Sequence, residues 1–272
     1  MPVPVPWTLP DLPAAARWSV AVRDGGTGAV LAAVHPDQLQ LTASIGKVFL
    51  LVEVAARLAD GSLDPEEPLT WTEEEHVADS GLWYLMDRRT LGVRDLAVLV
   101  GAFSDNLATN VLLRRVGLTA VQARAVALGC TRSTLLDRVR LRRTPQDPPT
   151  LSVGTAGELS GLLHALHAGT GVAPAVSAQV LRWLAAGADL SMVASAFDLD
   201  PLAHGEPDRG VTLVNKTGTI SIARGDVGVV AGPDATLAYA VLATWPEHVD
   251  VRDAVLAAMR TVGQQLRAAV GG

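Results

Sequence analysis

Lysine is nearly absent from this chain. Of its 22 basic residues, twenty are arginine and only Lys47 and Lys216 are lysine. Cysteine is scarcer still: Cys130 stands alone, which excludes an internal disulfide and a cysteine-rich metal site. No run of about eighteen consecutive apolar residues occurs, so no helical membrane span is expected. Positive charge is not in excess either. The net charge of −6 leaves no basic footprint for nucleic acid. Internal repeats and low-complexity tracts are also missing. The opening residues Met1–Trp7 carry neither a basic leader nor a continuous apolar stretch, which argues against a secretory signal. The expectation is a cytoplasmic protein, or a secreted one whose leader has been removed. What is present is a chain of 272 residues, 49% hydrophobic and 18% charged, long enough to bury a large core.

The ends of the chain differ from its middle. Trp18–Arg23 and Val30–Val34, joined by a glycine-rich turn, predict a β-hairpin. Val211–Thr217, Val227–Ala231 and Leu237–Thr244 predict three later strands, followed by a helix over Val251–Val270. Between them the periodicity is helical: Ser44–Ala59, Val93–Phe103, Asn106–Val116, Ala120–Leu128, Thr155–His167 and Pro174–Ala186. Strands from both ends flanking a helical middle imply an α+β chain with one antiparallel sheet. The discontinuous α/β lobe would cover about 1–40 and 205–272, and a helical lobe about 41–204. The cleft between two such lobes is the expected ligand site.

Each lysine lies in a pattern with chemical meaning. Lys47 follows Ser44 by three residues, on one face of a helix start, so its amine can reach the serine hydroxyl. A serine needs a base to become a nucleophile, and a lysine with a lowered pKa can be that base. Free N–H groups at the helix start can stabilise an oxyanion. Ser104-Asp105-Asn106 lies between two helices; either of its first two residues makes an ordinary N-cap, and Ser104 could instead relay a proton while Asn106 points its amide at a substrate. Lys216-Thr217-Gly218-Thr219 ends a strand, where Lys216 supplies charge and Gly218 allows close backbone approach, unless this is a plain exposed strand end.

The order Ser-x-x-Lys, Ser-Asp-Asn, Lys-Thr-Gly resembles that of the class A β-lactamases and related penicillin-recognising serine enzymes. Asn106–Leu113 is similar to the family's helix after Ser-Asp-Asn, and Gly61–Asp64 with Pro68–Thr70 to its loop after the nucleophile helix. The resemblance covers about 17–268. It implies a β-lactamase-like fold and a serine hydrolase working through an acyl-enzyme on Ser44, with Lys47 as proton acceptor. Ser104 would serve the leaving nitrogen, Asn106 the substrate amide, and Lys216 with Thr217 the substrate carboxylate. The N–H groups of Ser44 and Thr219 would form the oxyanion hole. No metal or other cofactor is implied, nor any nucleic-acid or membrane partner. The implied partner is a small molecule: a β-lactam, an ester or a peptide.

The resemblance fails at one position. Where the family places a glutamate that activates the deacylating water, Thr134-Leu135-Leu136-Asp137-Arg138-Val139-Arg140 keeps the frame but substitutes Arg140. A guanidinium cannot act as a base. If it points into the cleft, its charge would lower the Lys47 pKa. Acylation with weak deacylation is therefore expected, the alternatives being a D-amino-acid peptidase or esterase on the same fold, or a lactam-acylated binding or sensor module. Val153 stands where the family's neck aspartate would, leaving Arg138 without that partner. Arg224 could reach a substrate carboxylate, or be a solvated strand end. Trp83 is a candidate cleft wall, with core packing the other reading. His164 and His167 share a helix face but have no acid or cysteine to complete a metal site.

Overall fold

The computed structural model describes residues 9–272; Met1–Trp7 lies outside the described residues. The chain opens with β1 (Arg17–Asp24), β2 (Val30–Val34) and the short β3 (Gln40–Leu41), then enters α1 (Lys47–Ala59). A small hairpin, β4 (Pro68–Thr70) with β5 (Thr90–Gly92), leads into α2 (Val93–Phe103), α3 (Asn106–Val116) and α4 (Leu118–Ala127). Next come β6 (Thr134–Leu135), β7 (Ser152–Gly154), α5 (Ala156–Ala168) and α6 (Pro174–Ala185). The chain closes with β8 (Thr212–Ile220), β9 (Ala223–Ala231), β10 (Thr236–Thr244) and α7 (Arg252–Val270). The main sheet has the order β2-β1-β10-β9-β8, antiparallel throughout, so both chain ends build one sheet with β8 at its edge.

Alternation along the strands sorts side chains to two cores. Ala21, Val227, Val229, Ala238, Ala240 and Leu242 share one core with α1 and the helices around it. Val20, Val22, Val230, Tyr239 and Val241 pack instead against α7 and residues 190–197. That segment lies under the sheet on the α7 side. Lys47 through Ala55 of α1 are all buried; apart from Lys47 the stretch is apolar except for Glu53, which is paired with Arg57 and Arg124.

Two departures from the sequence pattern bear on the site. The helix predicted from Ser44 begins at Lys47, and Ser44 lies in a preceding 3-10 turn, Ala43–Gly46. β8 and β9 run past their predicted ends through Gly218, Arg224, Gly225 and Asp226. These are poor strand formers, held extended by the register Thr217↔Asp226 and Gly218↔Gly225.

Candidate active site

Ser44 is presented by a strained turn. Ala43 before it has φ of 46°, a left-handed conformation that L-residues avoid. Ser152 of β7 fixes it: its hydroxyl donates to the Ala43 carbonyl (2.6 Å) and lies 2.7 Å from Thr42 Oγ1. Gly218 explains how β8 comes so close. A Cβ there would sit 2.1 Å from the Thr42 carbonyl oxygen, so only glycine allows the strand to pass the nucleophile turn.

Ser104 closes α2 in a left-handed conformation, φ 55°, and Asp105 caps α3 by accepting from the Ala108 N–H (2.8 Å). The other Asp105 oxygen accepts from the backbone N–H groups of Leu82 (2.7 Å) and Trp83 (2.8 Å). One buried carboxylate thus locks the Ser104 corner to the 80–83 segment. Replacing Asp105 with alanine leaves three buried donors unpaired and is expected to cost about 3 kcal/mol, read as a lower Tm. An unchanged melting curve refutes that role.

The two lysines meet at Ser104. Lys47 Nζ donates to the Ser104 carbonyl (2.6 Å) and to Asn106 Oδ1 (2.7 Å), with a longer contact to Ser104 Oγ (3.3 Å). Lys216 Nζ donates to Ser104 Oγ (3.1 Å) and to the Thr217 carbonyl (2.8 Å). Both lysines are buried. Burial, reinforced by the charge of Lys216, holds the Lys47 pKa well below the ordinary lysine range, against the opposing pull of Asp105 and Asp79. Burial brings Lys216 down to about 8, while Asp189 and Asp226 work the other way. Two short bonds match the two N–H groups of a neutral amine, and among the described residues Lys47 Nζ makes no hydrogen bond to Ser44, the partner its helix spacing suggests.

Ser44, Ser104, Asn106, Lys216, Thr217, Thr219, Arg140 and Arg143 line one cleft of about 580 Å³. Thr217 Oγ1 donates to Asp189 Oδ2 (2.6 Å). Among the described residues no group of three or more His, Cys, Asp or Glu side chains is placed to hold a metal ion, and no helix is long and apolar enough to cross a membrane.

The model of the beta-lactamase enzyme family matches residues 12–270. The chain belongs to that family. Similar solved structures include a β-lactamase from Sphaerobacter thermophilus DSM 20745, at 22% identity and TM-score 0.80, covering 94% of this chain and 92% of that one. An ancestral class A β-lactamase gives 25% identity and TM-score 0.77, with 94% and 95% covered. PBP-A gives 20% identity and TM-score 0.76, with 94% and 91% covered. No curated protein matches. The β-lactamase fold of this chain is thus shown by its family and its architecture, and the family is one of serine hydrolases acting on small β-lactam molecules.

Within the β-lactamase fold, several sequence expectations change. Trp83 is fully buried in the helical core, its indole N–H donating to the Arg88 carbonyl (2.8 Å); it forms no cleft wall. Arg224 does not line the cleft. Its guanidinium caps the β8–β9 turn through the Ile220 (2.5 Å) and Ala223 (2.8 Å) carbonyls and lies over the Trp245 ring. Arg140 does line the cleft, yet it is paired with Asp137 (2.7 Å) and Asp147 (3.1 Å). The cation acting on Lys47 is therefore Lys216, and not Arg140 as the sequence suggests. Asp137 also receives Arg143 (2.5 Å). Burial raises the Asp137 pKa, but its bonds from the arginines outweigh this and the net shift is downward. Arg138, without the neck aspartate, donates to the Glu74 carbonyl (2.8 Å). Cys130 is buried, with its thiol pushed up to about 12.

Sequence reasoning missed Ser152, Asp189 and Asp226. Asp189 lies 28 positions before its partner Thr217, and Ser152 lies 109 after Ala43. No local pattern signals either contact.

Proposed function

We propose that this chain is acylated on Ser44 by β-lactams and releases the acyl group slowly. The observation that carries the reading is the Ser104 hydroxyl, poised between two buried lysine nitrogens in the cleft that Ser44 also lines. In the first step neutral Lys47 takes the Ser44 proton, and Ser44 Oγ bonds to the lactam carbonyl carbon. The oxygen gains negative charge, which the N–H groups of Ser44 and Thr219 stabilise. Collapse of this intermediate breaks the C–N bond. Ser104 gives its proton to the leaving nitrogen and recovers one from protonated Lys47. Lys216 receives the substrate carboxylate, which the Thr217 hydroxyl joins by turning its proton from Asp189, and the Asn106 amide receives the acyl-side amide. Net, the serine O–H and the lactam C–N bond become an ester and an N–H. A variant of PBP-A, 20% identical to this chain, covering 94% of it, TM-score 0.77, is seen as an acyl-enzyme with penicillin G, which supports acylation by a β-lactam on this fold.

Release needs a base to activate water, and Arg140 stands where one is wanted. With Asp137 and Asp147 as its ion-pair partners, it is held protonated. The test is a fluorescent penicillin beside a chromogenic cephalosporin, with intact-mass spectrometry. The expected result is one covalent adduct on Ser44 that outlasts minutes, with little turnover. Rapid turnover without a trapped adduct refutes slow release. Neither labelling nor turnover refutes the lactam reading and points to an ester or peptide substrate.

A further inference from the structure

Arg224-Gly225-Asp226 reads in sequence as a solvated strand end, yet Asp226 is completely buried. On β9 it lies opposite Thr217 of β8. Its Oδ1 accepts from Asn215 Nδ2 (3.0 Å) and from the Tyr239 hydroxyl (3.1 Å); its Oδ2 accepts from the Ala194 N–H (3.2 Å). Asn215 Nδ2 also donates to the Asp189 carbonyl (3.3 Å), and the Asp189 carboxylate holds Thr217 Oγ1. One buried carboxylate, Asp226, thus backs the strand that carries Lys216 and Thr217, while Asp189, exposed at the cleft, holds Thr217 from the other end. Among the described residues neither lysine has a carboxylate within ion-pair distance.

We infer that Asp226 is a positioning residue of the acylation site: it fixes Lys216 and Thr217 through Asn215, and with Asp189 it supplies negative charge near Lys216. A charged Lys216 in turn depresses Lys47, so the carboxylate behind the sheet acts on the base in front of it. Burial raises Asp226 to about 7, with the charge of Asp189 adding to it and the bonds from Asn215, Ala194 and Tyr239 opposing it. The titratable group on its own face is Tyr239 from β10; Asp189 comes from the segment after α6, and Lys216, next in β8 to Asn215, points to the other face of the sheet. Two α7 cations reaching that segment, Arg260 and Arg267, are paired with Asp198. α5 packs on the opposite face of the sheet.

The scarcity of lysine makes the test direct. Protein labelled with 13C at lysine Cε gives two signals, one from each site lysine, assigned with Lys216→Gln. In the wild type the Lys216 signal is expected to titrate near 8 and to carry a smaller inflection near 7 from Asp226. In Asp226→Asn the Lys216 midpoint should fall by roughly half a unit or more, because a nearby negative charge is gone, and the inflection should vanish. An unmoved or raised midpoint in the folded variant overturns the inference. If Asp226→Asn does not fold, Tyr239→Phe should move the inflection upward by removing a donor to the carboxylate. No inflection in the wild type, or one that ignores Tyr239→Phe, also overturns it. These readings need no catalysis. A kinetic arm rests on the proposed acylation: Asp226→Asn should weaken the initial penicillin complex several-fold with less effect on the limiting acylation rate. Unchanged binding refutes the positioning role, whereas a wild type that takes no label refutes the acylation reading alone.

Discussion

Lys47→Ala is expected to slow acylation of Ser44 by about three orders of magnitude, the middle of what a positioned general base contributes. Lys47→Arg should do no better. Its guanidinium keeps its proton, and the lysine it replaces is fully buried beside Ser104 and Asn106. Stopped-flow mixing with a fluorescent penicillin measures the rate, and a loss below tenfold in Lys47→Ala refutes the base assignment. The pH profile gives a second check on the same site. Lys47 acts when neutral, so the rate rises with pH through its depressed pKa. Lys216 binds the substrate carboxylate when protonated, so the rate falls as pH passes about 8. The curve should be a bell, and losing its alkaline limb in Lys216→Gln identifies the group responsible.

The other large effect concerns release. Arg140→Glu alone places a third carboxylate beside Asp137 and Asp147 and removes the cation that both share, so the loop from 137 to 147 should loosen. Arg143 still neutralises Asp137, which leaves Asp147 as the unpaired neighbour. The double change Arg140→Glu with Asp147→Asn removes that repulsion. It is expected to hydrolyse the penicilloyl adduct about 100-fold faster, an ordinary gain for a general base. Adduct lifetime by mass spectrometry reads the effect directly. If neither variant shortens it, the missing glutamate is not what slows release.

Much of this was legible in the chain itself. The three short motifs, the apolar run of β10 and the apolar residues 48–52 of α1 are local patterns, legible within a few positions. The breakpoints at β8 and β9 were not legible, since glycine, arginine and aspartate there become strand only through pairing with neighbours. Trp83 could be core or wall until the 80–83 segment was seen tied to Asp105, with the indole turned inward.

The sequence alone determined which chemistry is available: one serine with a lysine three residues on, one further lysine, and an arginine in place of a glutamate. Tertiary structure decided what those groups are. Lys47 and Lys216 converge on one hydroxyl from positions 57 and 112 residues away from Ser104. Their charge states follow from burial and from each other, which no local pattern encodes. Arg140 is tied up by two carboxylates, and Asp226 is a buried carboxyl group where the sequence suggests a solvated one. The physical reason is common to all of them. Side-chain identity is local, whereas desolvation and Coulomb interaction depend on what the fold brings within a few ångströms.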